Sequence, residues 1–425
     1  MKLISSALLA ILLSSNFAFG VDATIEVVKR NFYVPKVLVE DYTSSEVDTR
    51  LKVKINKLIV GDLTVSGHMK PVGAKRISTF DTHTDYEANQ EDKIDLVLKY
   101  KVQLVSSKEL DIVVNLFDVN NNQIVYSKTY STSQKARYPF LVHSLSIDLN
   151  NHLNAPRIDW MQRFVIFSQY RSAKESDIII ADYTLSYQKT IIKGGLNIFP
   201  KWADKSQQNF YYTKANSKPT LYKTNIYTGK QKKILSSDGM IVASDVSDDE
   251  DELLVTMAPT DQTDIYLYNV KRKKLKQLTT YSGIDVNGNF IDNDKRIVFV
   301  SDRLGAPNVF AKAINKKGAE ILVHHGRNNN SATTFGNYII YVSREKKDDT
   351  GSNTFNLYMV STKTDYIRAL TSSGRNQFPK FSVDGESVIY LKQYGNQSSL
   401  GIIRLNYNES YLFPLSKGKI QSIDW

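Results

Sequence analysis

The stretch FPKFSVDGESVIYLKQ (residues 378–393) has a near copy earlier in the chain, FPKWADKSQQNFYYTK (residues 199–214). Each copy begins with Phe-Pro-Lys and an aromatic residue, continues through a polar turn, and ends in a run of alternating apolar residues. Self-similarity at long spacing is typical of repeat folds, so the spacing of these copies bears directly on the fold.

The apolar run recurs six times, with equivalent positions separated by 45, 44, 44, 42 and 49 residues: Ser168, Thr213, Met257, Ser301, Ser343 and Lys392. Two more runs rich in β-branched and aromatic residues follow each copy, and a Pro-aromatic element or its counterpart comes next. Four short strands in each unit of about 40 to 50 residues are typical of a β-propeller. The sequence therefore predicts an all-β propeller of six blades over residues 155–425.

The last residues of the chain, GKIQSIDW (residues 418–425), match the fourth strand of the repeat, with Trp425 at the place of Trp202 and Phe381. An open propeller would expose an unpaired strand edge. We therefore predict that this segment pairs into the first blade and closes the ring. The segment APRIDW (residues 155–160) competes for that place and is interpreted as a linker. Trp202, Phe290 and Phe381 are predicted to pack between neighbouring blades.

The sequence before the repeats divides into three segments. Residues 1–20 carry a lysine, an apolar run and small residues, the layout of a signal peptide for export. Residues 21–33 are predicted to form an exposed leader whose alternation suits strand addition to a partner's sheet, or an edge strand of its own domain. Residues 34–154 mix strand and helix patterns, so we expect a small α/β domain. One predicted helix places five apolar residues on a single face: Val47, Leu51, Ile55, Leu58 and Ile59.

Composition narrows the possible functions. The 425 residues include no cysteine, so disulfides and thiolate metal sites are excluded. The net charge of +11 is compatible with nucleic acid, anionic polymers or acidic partners. We predict no nucleic-acid partner, because the chain is expected to be exported and its lysines are spread along the sequence. The one dense run, VKRKKLK (residues 270–276), is interpreted as a solvated turn.

No catalytic pattern stands out in the sequence. G-x-S-x-G and phosphate-binding glycine loops are both missing. His324 and His325 are adjacent, and on a strand they would point to opposite faces and could not share a metal ion. The acidic run SDDEDE (residues 247–252) is interpreted as a solvated turn. We therefore predict neither an enzyme nor a bound cofactor or metal.

The order of these parts, together with FPKFSVDG (residues 378–385), SDRLGAPNVFAKAI (residues 301–314) and NLYMVSTKTDYIRALTSSG (residues 356–374), resembles the TolB family of the Tol-Pal system. The segment ARYPFLVHSLSIDLNNHLN (residues 136–154) is similar to the family's interdomain helix. The resemblance implies a non-enzymatic adaptor in the periplasm that links TolA of the inner membrane to the lipoprotein Pal. Its implied role is in outer-membrane integrity and envelope constriction during cell division, with membranes contacted only through these partners.

The resemblance also implies two binding regions. Pal would bind loops that enter the fourth strand of each repeat, at one mouth of the propeller: Ile198, Phe199, Met240, Ile241, Val242, Ala243, Val286, Asn287, Asn329, Asn330, Gln377 and Phe378. TolA would bind the leader: Val21, Asp22, Ala23, Thr24, Ile25, Glu26, Val27 and Val28. The alternative is a propeller enzyme or binding protein that acts on envelope glycans or peptides.

Overall fold

The computed structural model describes residues 33–73, 78–81, 86–347 and 353–425 of the chain. The N-terminal part of these residues contains five strands and three α-helices: β1 (Lys36–Asp41), α1 (Thr49–Ser66), β2 (Lys70–Val72), α2 (Tyr86–Glu91), β3 (Leu96–Leu104), β4 (Leu110–Asp118), β5 (Gln123–Thr132) and α3 (Tyr138–His152). The strands form one sheet in the order β2-β1-β3-β4-β5. β1 is parallel to β2 and β3, and the other pairs are antiparallel. The predicted α/β domain is confirmed.

Sequence signals mark the two ends and the buried face of helix α1. The Asp48 side chain accepts a hydrogen bond from the Arg50 backbone N–H at 2.9 Å and caps the first turn. Gly67 ends the helix in the left-handed conformation at φ 75°, which glycine adopts without a side-chain penalty. The five predicted apolar residues are buried, although Val47 precedes the helix, and Ile55 and Ile59 lie in the same core as Leu98 of β3. The helix therefore covers the sheet with the face that the sequence indicates.

The rest of the described chain consists of short strands: β6 (Val165–Ser172), β7 (Glu175–Ala181), β8 (Gln188–Ile192), β9 (Asn197–Trp202), β10 (Asn209–Lys214), β11 (Thr220–Asn225), β12 (Gln231–Ser236), β13 (Ile241–Val246), β14 (Glu252–Met257), β15 (Asp264–Asn269), β16 (Lys274–Gln277), β17 (Asp285–Ile291), β18 (Arg296–Ser301), β19 (Asn308–Ala313), β20 (Glu320–Ile321), β21 (Arg327–Phe335), β22 (Tyr338–Lys347), β23 (Asn353–Ser361), β24 (Thr364–Ala369), β25 (Arg375–Phe381), β26 (Ser387–Tyr394), β27 (Gln397–Arg404), β28 (Glu409–Pro414) and β29 (Lys419–Asp424). Successive groups of strands form antiparallel units. This part is a β-propeller domain, as the repeats predict.

The strand order defines the units. We name them the first sheet (β29-β6-β7-β8), the second (β9 to β12), the third (β13 to β16), the fourth (β17 to β20), the fifth (β21 to β24) and the sixth (β25 to β28). The fifth and sixth are joined by one parallel pair, Phe355 with Arg375. In the first sheet the C-terminal strand β29 pairs antiparallel with β6, and Ile423 lies opposite Phe167. Residues 155–160 form no strand, and the last two of them begin a short 3-10 helix, Asp159–Gln162.

Aromatic and aliphatic side chains pack between neighbouring sheets. Trp202 of the second sheet shares a core with Ile178 of the first, and Phe381 of the sixth shares one with Ile340 of the fifth. The prediction that these aromatic residues pack between units is therefore confirmed. One further core contains Phe167 of the first sheet together with residues of the sixth: Ile389, Leu391, Leu400 and Ile402.

The two domains share buried contacts. Val65 of α1 and Ile147 of α3 lie in the same core as Trp160 and Trp425, whose rings meet edge to face at 5.5 Å. No helix among the described residues combines the length and the apolar character needed to cross a bilayer. One sequence expectation needs correction: His324 and His325 lie in the loop after β20 and not on a strand.

Candidate protein interface at one mouth of the propeller

One strand from each sheet lines a common cavity, and these six strands begin at the same end of their sheets: β9, β13, β17, β21, β25 and β29. We name them the inner strands, and the end at which they begin is the mouth. The registers show what else lies there. Asp285, which begins β17, pairs with Ser301 at the end of β18, and Ser301 pairs with Asn308 at the start of β19. The loop between the second and third strands of a sheet therefore also lies at the mouth.

An asparagine near the start of several inner strands holds the loop that leads into the strand. The Asn197 amide donates to the Ser176 carbonyl at 2.8 Å and to the Gly194 carbonyl at 2.9 Å. The Asn376 amide donates to the Phe355 carbonyl at 2.9 Å and to the Ser373 carbonyl at 3.0 Å. Buried amides that satisfy several carbonyls rigidify the loops around them. The loops that enter β9 and β25 are therefore held in fixed positions.

Each described inner strand also contains a register shift near its third residue. Phe199 and Asn287 are the third residues of β9 and β17, and Phe378 is the fourth residue of β25; their φ values are 52°, 56° and 49°. A non-glycine residue in this left-handed region costs about 1–2 kcal/mol. Bulges of this kind turn side chains away from the regular alternation. The apolar side chains at this level are consequently placed by the bulge and not by strand period alone.

The structure places the twelve predicted Pal-facing residues at the mouth, but not all of them at its surface. Met240 is 40% exposed and precedes β13, and it is the only member of the set outside a strand. Eight residues are half-buried: Ile198, Phe199, Val242, Val286, Asn287, Asn330, Gln377 and Phe378. The expectation that these residues lie in loops is thus corrected, since eleven of them belong to the strands themselves.

Three residues of the predicted set are buried: Ile241, Ala243 and Asn329. Ile241 and Ala243 belong to the core between the second and third sheets. Asn329 donates from its amide to the His325 carbonyl at 2.8 Å and so holds its own loop, as Asn197 and Asn376 do. Their side chains serve the fold, and a partner could contact them only through neighbouring residues. The predicted TolA-binding residues 21–28 lie outside the described residues.

Three exposed apolar residues at the mouth were missed by the sequence reasoning. Ile284 is 52% exposed, Leu304 is 64% exposed and Tyr394 is 83% exposed. Ile284 and Leu304 lie in loops that meet, because the Ile284 backbone N–H donates to Asp302 at 2.8 Å. The sequence carries a signal for these residues, because each stands next to a glycine: Gly283, Gly305 or Gly395. An apolar residue in such a turn has no core to pack into.

Basic side chains accompany these apolar residues. Lys214 lies against the Gly195 loop and Lys392 against the Gly374 loop, so both ammonium groups reach the mouth. Lys193 and Lys417 are exposed in the loops that enter β9 and β29. On the same side of the mouth Asp177 is paired with Arg171 at 2.8 Å, and Lys174 and Glu175 are both exposed. This sector therefore presents positive charge to a partner.

Below the mouth, four charged residues from different sheets meet in the cavity, which has a volume of about 130 Å³. The Lys201 ammonium lies 3.0 Å from Asp245 and 3.3 Å from Asp424, and Lys380 lies 3.4 Å from Asp424. Burial lowers the pKa of Lys201, but Asp424 and Asp245 outweigh it and raise the pKa above its ordinary value. Burial and the nearby Lys201 charge lower the pKa of Lys380.

The cavity has little capacity to concentrate ligands by charge, because two lysines and two aspartates neutralise one another. The ion pairs instead join the second sheet to the third and the first to the sixth. Among the described residues, no group of three or more His, Cys, Asp or Glu is placed to hold a metal ion. The surface features at the mouth are those of a protein interface, with apolar residues surrounded by polar and charged ones.

Comparison with known proteins gives matches over both domains. A family model described as the TolB beta propeller domain matches residues 160–425, and one described as the TolB amino-terminal domain matches residues 23–125. A crystal structure of TolB from Acinetobacter baumannii has the same fold, with a TM-score of 0.74 and 19% identity over 92% of this chain and 96% of that chain.

Curated relatives of nearly the same length carry the name Tol-Pal system protein TolB. The protein from Wolinella succinogenes is 53% identical over 409 residues, which are 96% of this chain and 97% of that protein. The protein from Helicobacter hepaticus is 46% identical over 420 residues, which are 98% of this chain and 99% of that protein. With both family models matched and nearly the full length aligned, the chain belongs to the TolB family of Tol-Pal system proteins.

Proposed function

We propose that this chain is a non-enzymatic periplasmic adaptor that binds the outer-membrane lipoprotein Pal at the mouth and TolA of the inner membrane through its leader. The observation that carries the Pal site is the set of exposed apolar residues at the mouth: Met240, Ile284, Leu304 and Tyr394. Exposed aromatic and methionine side chains favour protein contacts. Family membership supports a role within the Tol-Pal system.

We further propose that the propeller is a closed ring of six blades. The pairing of β29 with β6 and the shared core between the first and sixth sheets support this architecture. In a closed ring the six mouth loops keep fixed mutual distances, which lowers the ordering cost of binding a rigid partner. The adaptor would then support outer-membrane integrity and envelope constriction during cell division by holding both partners.

The Pal site can be tested by pull-down with purified Pal from the same organism. We expect Met240→Glu combined with Tyr394→Glu to weaken capture at least tenfold, because each change places a carboxylate in a desolvated contact. The matched control is Tyr366→Glu on the outer strand β24, where the tyrosine is 53% exposed but lies away from the mouth. Equal capture by the double variant and the control contradicts the proposed site.

Lys193, Lys392 and Lys417 make one side of the mouth positive, so we expect the Pal surface that faces them to be acidic. Capture should therefore weaken as salt rises, since exposed charges are screened within about 8 Å at physiological ionic strength. Turnover of a glycan or peptide by the purified protein would instead favour the enzyme alternative and remove the adaptor proposal.

The TolA site is tested by deleting residues 21–28. We expect the shortened protein to keep its thermal unfolding midpoint and its capture of Pal, while it loses capture of the periplasmic part of TolA. A substitution of Val53→Ser, at a position that is 61% exposed on α1, is the control for an apolar surface change elsewhere. If the shortened protein still captures TolA, the assignment of the leader is wrong.

A further inference from the structure

The outermost strands of three consecutive sheets carry an uneven share of the positive charge. Strands β8, β12 and β16 contain five exposed lysines and no carboxylate: Lys189, Lys232, Lys233, Lys274 and Lys276. We name these five residues the basic edge. The corresponding strands of the other sheets, β20, β24 and β28, contain no lysine; they carry Glu320, Asp365 and Glu409, with Arg368 as their one basic residue.

The basic edge is not neutralised by its surroundings. None of its five lysines forms an ion pair with a described residue, and Lys276 has only the neutral side-chain oxygen of Asn315 at 3.5 Å. The neighbouring acidic loop between β13 and β14 directs Asp251 to Lys271, at 2.6 Å, and not to the basic edge. The contact from Lys276 to Asn315 also joins the third sheet to the fourth, where Lys316 and Lys317 are exposed. Exposed lysines therefore extend from the third sheet into the fourth.

Protection of sheet edges does not explain this distribution. Lysines on an edge strand prevent pairing with another chain, and every outermost strand of a propeller has that need. Here lysines protect the outermost strands of the first, second and third sheets only. Like charges also lie close together here, since burial and the charge of Lys276 lower the pKa of Lys312. A feature this uneven calls for a different explanation.

Exposed apolar side chains lie between the lysines. Leu275 is 41% exposed and sits between Lys274 and Lys276, and Tyr227 is 64% exposed in the loop that leads to β12. Lysine ammonium groups are compact, strongly hydrated charges, which suit a diffuse array of anions better than one shaped ligand. Tyrosine, leucine and lysine together are typical of protein surfaces that rest on lipid headgroups. A purely polyanionic glycan gives no reason for the exposed leucine and tyrosine.

We propose that the basic edge binds the surface of a bilayer containing anionic phospholipids, with Leu275 and Tyr227 entering the headgroup region. This contact is separate from the mouth and does not depend on Pal or TolA. Each lysine near an anionic surface strengthens partitioning about fivefold. Several lysines acting together hold the protein to the membrane weakly and reversibly, and the contact weakens as salt screens the charges.

The test is co-sedimentation of the purified protein with vesicles of phosphatidylcholine, either alone or with about one-third phosphatidylglycerol. We expect the protein to bind the anionic vesicles at least tenfold more strongly than the neutral ones at low salt. The variant Lys232→Gln/Lys233→Gln/Lys274→Gln/Lys276→Gln should lose at least tenfold of this binding. These side chains are exposed, so the unfolding midpoint and Pal capture should stay unchanged.

The matched control removes the same charge elsewhere through exposed residues of the N-terminal domain: Arg50→Gln, Lys54→Gln, Lys57→Gln and Lys108→Gln. It should bind anionic vesicles nearly as well as the wild type. Equal losses in both quadruple variants would show that net charge alone is responsible, and would overturn the proposal.

A further variant separates lipid from glycan. Leu275→Ser combined with Tyr227→Ser should weaken vesicle binding while leaving retention on a heparin column unchanged. Retention on heparin without any preference for phosphatidylglycerol vesicles would assign the edge to polyanionic glycans and contradict the lipid proposal.

Discussion

Single residues in the repeat have different tasks even where their letters agree. The Asp384-Gly385 turn places Gly385 at φ 73° directly against the Phe335 ring, so a β-carbon there would overlap the ring. Gly395 also has a positive φ, 56°, but nothing lies within 4 Å of the place of its β-carbon. The two glycines look alike in the sequence and differ only in their surroundings.

This difference predicts unequal effects of the same substitution. Gly395→Ala should cost about 1 kcal/mol, which is the penalty of the left-handed backbone alone. Gly385→Ala should cost about 1–3 kcal/mol more, because the methyl group displaces Phe335 from its contact with Phe381 at 5.7 Å. Thermal and urea unfolding of the two variants measure both values. Equal losses would mean that the ring moves aside without cost.

At the scale of elements, the alternation of apolar residues predicts the strands but not the registers in which they pair. At the mouth, the first residue of an inner strand pairs with the last residue of the next strand. Asn197 of β9 pairs with Lys214, and Ile241 of β13 pairs with Met257. The alignment of the repeats treats Thr213 as the equivalent of Met257, but the equivalent in the structure is Lys214, one residue later. Alternation defines faces within a strand, but a bulge shifts the pairing between strands, and only the paired backbone reveals it.

The C-terminal strand β29 gives a prediction at this scale. Deleting residues 419–425 should destabilise the propeller by more than about 5 kcal/mol, because three largely buried apolar side chains are lost and β6 becomes an unpaired edge. These side chains are Ile420, Ile423 and Trp425. The control is Leu412→Ala, an apolar residue that is 48% exposed on β28.

Thermal unfolding followed by circular dichroism measures the effect of this deletion. A midpoint equal to that of the wild type would show that β29 is a dispensable tail and would contradict the closed ring. Ile423→Ala alone, which should cost about 2–4 kcal/mol, keeps the test informative if the shortened chain does not fold.

At the scale of the whole molecule, a buried polar group joins the two domains. His143 of α3 donates from Nδ1 to Asp62 of α1 at 2.6 Å, and its Nε2 lies 3.4 Å from Asp182 of the propeller. The Tyr183 hydroxyl donates to Asp62 at 2.6 Å. Burial lowers the pKa of His143, but the two carboxylates outweigh it and raise the pKa from 6.5 to about 9.

The sign of this shift predicts a pH dependence. A raised pKa in the folded state stabilises the protein fully below about pH 6.5, and this contribution is lost as the pH rises through about 9. His143→Gln should therefore cost about 3–5 kcal/mol at pH 6.5, because two buried carboxylates lose their cation. The difference from the wild type should narrow as the pH approaches 9.

Urea unfolding at several pH values measures this difference. His152→Gln, on the exposed end of the same helix, is the control and should change stability little. A difference between His143→Gln and the wild type that stays constant from pH 6 to about 9 would show that His143 is neutral in the folded protein.

The sequence by itself determined the two domains, the repeated strands, the helix α1 and the family, because each depends on local periodicity, turn residues or matching letters. Only the tertiary structure decided which residues of the mouth are exposed. Asn329 and Met240 both looked like interface residues, yet one holds a loop and the other reaches solvent. The meeting of Lys201 with Asp424, 223 residues apart, likewise depends on how the sheets are arranged around the cavity. Exposure and convergence arise from contacts between distant parts of the chain, and a local pattern contains no information about them.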